Sequence, residues 1–197
     1  SRLVSALTSP VVLILGIIYL GNGVGLFGAV AFMPTIIRQI GLGYAAIGWT
    51  MSLIFLLMAV WMIIWTRHSD TSGERIWHVA GASLLGVACL AAAAMSPHSP
   101  VVIVVWLGMA AILMNPATPA FWNLPPKYLS GEGAAAGIAW ISSIGALGAF
   151  IGPVVLGFAK DHSGNYSGGL LLIALGPLLS ATLTLALKKH PAFAQQT

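Results

Sequence analysis

Charge is scarce in this sequence: 197 residues hold eight Lys or Arg and four Asp or Glu, 6% in all, against 58% hydrophobic residues. At a mean hydropathy of +0.96, there is too little polar surface to face water, which excludes an ordinary soluble domain. Cysteine is scarcer still. Cys89 stands alone, so an intrachain disulfide is excluded, and inside an apolar run it reads as a small packing residue. The five histidines, His68, His78, His98, His162 and His190, lie in or beside connectors without the i, i+4 pairing that favours a metal. Neither a metal site nor a cofactor is expected. The net charge of +4 is a bias of one membrane face and not a nucleic-acid surface.

What the sequence has is six long apolar runs, near residues 11–37, 44–65, 77–96, 100–122, 134–159 and 168–188. A helix of about 20 residues crosses the hydrocarbon core. In lipid the backbone must pair within its own segment, so runs of this length are helices, whereas barrel strands would be half as long and alternating. An all-α polytopic membrane protein follows, a single six-helix bundle. Arg2, Arg67, Arg75, Lys127, Lys188 and Lys189 fall on one side and only Arg38 and Lys160 on the other, which predicts both termini in the cytoplasm. Tyr44, Trp65, Trp77, Tyr128 and Tyr166 near the span ends suit interfacial anchoring, while Tyr19, Trp106 and Trp140 sit deeper. No signal peptide precedes the first run, and the chain opens at Ser1 without methionine, so it reads as a piece of something longer.

Inside the runs strong dipoles are few. Tyr19 and Asn22 lie three apart on one face of the first span, and Asn115, Thr118 and Trp122 follow i, i+3, i+7 on the fourth. Polar groups within a membrane face the bundle or a wet pathway. Asn22 and Asn115 can donate to a carboxylate or hydroxyl; the alternative is interhelical glue, which Asn and Ser commonly supply, as for Ser142 and Ser143 in the fifth span. Glycine recurs in the first and fifth spans, and Gly148-x-x-x-Gly152 is the spacing of close helix contact. Gly152-Pro153 weakens the helix locally, a candidate bend or hinge.

The connector between the second and third spans reads Arg67-His68-Ser69-Asp70-Thr71-Ser72-Gly73-Glu74-Arg75. It resembles the cytoplasmic Asp-x-x-Gly-x-Arg motif of the major facilitator superfamily. With Trp65 before it and Ile76-Trp77-His78-Val79-Ala80 after it, it is more narrowly similar to the anion:cation symporter family of tartrate, hydroxyphenylacetate and phthalate permeases. Tyr19-Leu20-Gly21-Asn22 with Phe32-Met33-Pro34-Thr35-Ile36-Ile37 resembles that family's seventh helix. Phe121-Trp122-Asn123-Leu124-Pro125, Ala136-Gly137-Ile138-Ala139 and Gly145-x-x-Gly148-x-Phe150-x-Gly152-Pro153 resemble its tenth and eleventh helices. The resemblance covers nearly the whole chain and implies the carboxyl-terminal half of a twelve-helix fold, with the amino-terminal half absent.

By that resemblance the first and fourth spans line a central cavity, and Arg67, Asp70, Gly73 and Arg75 form a gate in which Asp70 and Arg75 latch the two halves together. Gly73 permits a tight turn, and an acid is favoured near an exposed helix amino terminus. The chain departs from the family where many relatives carry Asn twice in the eleventh helix; Ser142 and Ala146 stand there. The implied function is secondary active transport of a small organic anion, a carboxylate, coupled to a cation such as H+, in the cell inner membrane. The implied partners are the anion, the co-transported cation, the lipid bilayer and the amino-terminal half, and no nucleic acid. No ionisable residue lies deep in a span, so the essential charges are expected in the other half. A membrane-embedded enzyme would need a nucleophile with a base or a metal cluster inside the spans, and the sequence offers none. A partner-dependent or truncated half without activity of its own stays open, as does a pair of identical halves.

Overall fold

The computed structural model describes residues 9–129 and 131–189; Arg2 and His190 lie outside them. Among the described residues the chain is helices and turns without strands. Helix α1 covers Pro10–Gln39, α2 Tyr44–Ser72 and α3 Ile76–Ala94. The fourth crossing is divided into α4 (Pro100–Met114), α5 (Ala117–Phe121) and α6 (Pro125–Tyr128); α7 covers Glu132–Ser163 and α8 Ser167–Leu187. By length and hydropathy six of these segments are able to cross a membrane, the fourth running from Pro100 to Tyr128. Proline fits the first turns of α1 and α4 because its missing N–H would be unpaired there.

Two expectations about spans are corrected. The second helix does not stop at residue 65: it continues through Thr66–Ser72, so Arg67 and Asp70 stand on its last two turns and only Gly73-Glu74-Arg75 form the turn. Polar residues at a membrane boundary did not end the helix; the first residue able to do so was Gly73, at φ +70° in the left-handed region that glycine enters freely. The fourth helix is not continuous from 100 to 122. Pro116 removes an amide donor and the chain breaks at Asn115-Pro116, resumes for Ala117–Phe121, and turns again before Pro125. α7, by contrast, is assigned as helix straight through Pro153.

α1 is the central helix, packed most extensively against α7 and then α8 and α4. Its contact with α7 depends on absent side chains. A Cβ on Gly148 would lie 2.6 Å from Leu20 O, and one on Gly152 2.3 Å from Val24 O. On the α8 side Gly21 and Gly176 meet backbone to backbone in the same manner. Without lipid-driven segregation, such close approach is how helices gain contact in a membrane.

Two apolar clusters fill the bundle. One gathers Met33, Ile36, Leu90, Leu107 and Ile173; the other gathers Leu15, Ile18, Val79, Phe121 and Ile141. Asn22 and Ser83, both buried, belong to neither cluster and lie between them along α1 and α3. α2 is peripheral: only Ile54, Met58 and Ser69 of it are buried, while Trp49, Leu53, Phe55 and Leu56 face outward. That outward apolar face suits hydrocarbon and not water. Tyr166, expected at the interface as an anchor, is instead 7% exposed and packed into the core.

Candidate functional site

A cleft of about 380 Å³ opens at mid-bundle, lined by Tyr19, Asn22, Gly23, Leu26 and Phe27 of α1, Asn115 and Thr118 of the broken fourth crossing, and Ser142, Gly145, Ala146 and Ala149 of α7. Small-molecule sites usually span about 300–1,000 Å³. On α1 the contributors fall at helical spacing, one stripe that starts at Tyr19 and ends at Phe27. The break at Pro116 leaves the Asn115 amide side chain and Thr118 on the same wall despite the interrupted helix.

Asn22 is 4% exposed and is held from behind. Ser83 Oγ of α3 donates to its Oδ1 at 2.8 Å, which leaves the Asn22 Nδ2 donor without a partner among the described residues. Ser83 also lies 2.8 Å from Val79 O, so its one proton serves either the helix or Asn22. Interhelical glue and cleft lining are thus both true of Asn22, at opposite ends of one amide. The Asn115 Nδ2 has only the Met62 sulfur at 3.5 Å, a weak acceptor. The hydroxyls of Tyr19, Thr118 and Ser142 make no hydrogen bond among the described residues. Buried polar groups are normally paired; of these five neighbours Asn22 alone is buried, and the other four, partly exposed, leave their capacity open to water or a ligand in the cleft.

Tyr19 is positioned by rings. It stacks on Phe121 with centroids 5.3 Å apart and planes 5° from parallel, and meets Trp122 edge-on at 5.2 Å. Gly145 makes room for this ring, since a Cβ there would come within 2.0 Å of Tyr19 Cδ1. Trp122 therefore supports the wall through Tyr19 and does not itself line the cleft. Ser143 lies outside it: the residue is exposed, and its hydroxyl bonds back to Ala139 O at 2.9 Å. Ser142 and Ala146 both line the cleft.

At one end of the bundle the Arg67–Arg75 turn is tightly built. Arg75 pairs with Asp70 and donates to Ser69 Oγ at 3.0 Å; its side chain is mostly buried while Asp70 is 55% exposed. Asp70 is thus on the carboxyl-terminal turn of α2, not at a helix amino terminus as expected. The acid that serves an amino terminus is Glu74, whose Oε2 accepts from Trp77 N–H at 3.0 Å and caps α3. Arg67 shares a shallow groove of about 270 Å³ with Met62, Thr66, Asp70 and Pro119.

Reading for i, i+4 histidine pairs missed a contact between helices. His68 Nδ1 and His78 Nε2 are 2.7 Å apart, with Trp65 Nε1 donating to His78 O at 3.1 Å. No group of three metal-ligating side chains occurs among the described residues. Ser83, Leu26 and Phe27 were also missed. The α1 stripe that begins at Tyr19 and Asn22 predicts Leu26 at the next turn, and a lone Ser in the interior of the third apolar run was the available signal for Ser83.

The family model for the Major Facilitator Superfamily matches residues 13–196. Two proteins of Agrobacterium vitis named for tartrate transport are 40% and 38% identical over 186 and 178 residues, which is 94% and 90% of this chain and 41% of each relative. A quinolone resistance transporter of Acinetobacter baumannii is 34% identical over 91% of the chain and 41% of its own length. The chain thus spans about two-fifths of the curated relatives it matches. No solved structure matches it.

Proposed function

Because the chain belongs to the Major Facilitator Superfamily, and so among membrane transport proteins and not enzymes, we propose that it forms the carboxyl-terminal six-helix half of a secondary active transporter for a small organic anion. The anion is a carboxylate and is driven by a co-transported cation such as H+. The observation that carries this reading is the cleft: Tyr19, Asn22, Asn115, Thr118 and Ser142 converge on it with hydrogen-bonding capacity unused inside the bundle. Asn22 Nδ2 and the three hydroxyls donate to carboxylate or hydroxyl oxygens; Asn115 Oδ1 accepts from a hydroxyl. The names of the Agrobacterium vitis relatives agree with such a substrate.

Among the described residues no charged side chain lines the cleft. A bare carboxylate brought among neutral dipoles keeps much of its desolvation cost, so the compensating cation and the titrating group of the coupling step belong to the amino-terminal half. In this reading the chain supplies the polar wall, and the Arg67–Asp70–Gly73–Arg75 turn supplies its share of the cytoplasmic gate. The Lys and Arg distribution supports cytoplasmic termini, and the transporter reading places the chain in the inner membrane. The alternative is a half that is inactive unless a separate partner is present.

Uptake of radiolabelled tartrate into vesicles tests both. One preparation holds this chain alone, and a second holds it with the amino-terminal half of an Agrobacterium vitis relative. Uptake only in the second, lost in Asn22→Leu, is the expected result. Uptake by the chain alone, or co-expressed uptake that ignores Asn22→Leu, would overturn the half-site reading. Export of a quinolone in place of tartrate uptake would overturn the substrate class.

A further inference from the structure

A second cleft lies at the end of the bundle opposite the Arg67–Arg75 turn, where α1 ends, α3 turns into α4 and α7 turns into α8. It is small, about 180 Å³, and its lining includes Gln39, Pro97, Pro100, Lys160, Asn165 and Tyr166. Three side chains there, Lys160, Asn165 and Tyr166, offer donors with no acceptor among the described residues. Lys160 makes no ion pair among the described residues; its Nζ rests 5.0 Å from the centre of the Tyr166 ring. Tyr166 is 7% exposed and its hydroxyl oxygen already accepts from Gln39 Nε2 at 3.3 Å, so its own proton is left over. Asn165 spends its Oδ1 on Ser167 N–H at 3.0 Å, which leaves its Nδ2 as donor. One cation, one buried phenol and one exposed amide thus face a space of a few water volumes, against a single side-chain acceptor without a partner among the described residues, Gln39 Oε1.

From this arrangement we infer that the cleft between Gln39, Lys160, Asn165 and Tyr166 binds a small oxyanion, a phosphate or carboxylate group. Two features select that chemistry. The donors are matched by a group with several acceptor oxygens and a negative charge, and charge-assisted hydrogen bonds are the strong ones. A cationic ligand would meet Lys160, and an apolar one would strand the Tyr166 proton. The Pro97 and Pro100 rings cap the space without adding N–H donors, so binding rests on the three side chains. This site is separate from the neutral mid-bundle cleft and shares no lining residue with it. Its ligand is either a free anion or the phosphate of a membrane lipid.

The test is thermal unfolding of the full chain in a maltoside detergent, which contains no phosphate, titrated with sodium phosphate against sodium chloride at equal ionic strength. A saturable rise in Tm with phosphate is expected. It should shift to at least about tenfold higher concentration in Lys160→Gln and in Tyr166→Phe, while Lys188→Gln, at the opposite end, behaves as the parent. Acetate in place of phosphate reports the carboxylate arm. Added phosphatidylglycerol that abolishes the phosphate response in the parent, with lipid retained in native mass spectra of the parent but not of Lys160→Gln, assigns the ligand to lipid; no such competition assigns it to a free anion. A phosphate response absent from the parent, or equal in all variants, overturns the site.

Discussion

Replacing Gly148 by alanine separates helix contact from side-chain packing. The added carbon would sit 2.6 Å from Leu20 O, 2.9 Å from Val24 N and 3.0 Å from Gly23 C. All three are backbone atoms of α1, so no rotamer change relieves the clash; α1 and α7 must part. Alanine in a helix is otherwise better than glycine by about 0.5–1 kcal/mol, and overpacking typically costs about 1–3 kcal/mol. The clash therefore wins, with a net loss of about 1–2 kcal/mol expected for Gly148→Ala. Gly81 is the control: its added carbon meets nothing closer than Trp65 Cζ2 at 3.7 Å, so Gly81→Ala is neutral or stabilising by up to about 1 kcal/mol. Gly145→Ala probes the third case, in which the obstacle is the Tyr19 ring and not backbone. Its ring leaves the Phe121 stack, with a smaller loss of stability and a reshaped cleft. The assay is equilibrium unfolding of the chain in maltoside micelles by SDS, followed by far-UV circular dichroism. If Gly148→Ala and Gly81→Ala unfold at the same SDS fraction, the close contact of α1 and α7 is refuted.

Four further outcomes are expected. Ser83→Ala frees the Asn22 amide to turn, weakening tartrate uptake in the co-expressed preparation by about tenfold, the effect of about 1.4 kcal/mol; unchanged half-saturation would remove Ser83 as the positioning group. Glu74→Ala loses the cap on Trp77 N–H and lowers stability by about 0.5–1 kcal/mol, read in the same SDS titration, whereas an unshifted midpoint would show the cap to be idle. Asp70→Asn leaves that midpoint within about 1 kcal/mol because Asp70 is largely solvated, yet slows uptake if the turn is a gate; parent-like uptake would reduce it to a topology signal. With the buried Cys89 replaced by alanine, Met95→Cys should react with an impermeant maleimide on intact cells and Thr71→Cys only after permeabilisation. The reverse pattern would invert the assigned orientation.

The helices were legible because lipid imposes one rule on every crossing, and a count of apolar residues suffices to apply it. Where a helix stops inside the polar boundary is governed by local chemistry instead. Thr66–Ser72 has no breaker, and only Gly73 combines position and freedom, so the polar run misled about the end of α2. Pro116 was visible as a letter, but the break it makes keeps Asn115 and Thr118 on one wall, and no periodicity count shows that. That Tyr19 and Asn22 share one face was readable from spacing, whereas that this helix lines a cavity came from the resemblance. What sequence left out were contacts across helices: Ser83 behind Asn22, His68 against His78, Asp70 turned back to its own Arg75, and Tyr166 buried in the core. Each depends on the rotation of one helix about its axis relative to another, which a single sequence does not encode locally. Ser143 shows the same limit in reverse, since one step along α7 from Ser142 moves the side chain out of the cleft.

The glycine contacts constrain how this half is able to move. On one side α1 meets α7 and α8 with its backbone, at Gly148, Gly152 and Gly176; on another it carries Tyr19 and Asn22 into the cleft. Contacts between backbones have no flexible side chain to absorb sliding, and packed surfaces of this kind switch between discrete arrangements and do not deform gradually. α1, α7 and α8 are therefore expected to travel together, and the part of the cleft wall that α1 and α7 form to keep its geometry. The flexible part is elsewhere: at the Asn115-Pro116 break, where a backbone amide is missing, and along α2, which has only three buried residues. A polar wall fixed to a rigid trio, faced by a broken helix and a loosely held one, is the arrangement expected where a site stays intact while its exits open in turn. The Asn115 side chain, at the break itself, is the polar group of the cleft whose position such a motion would alter first.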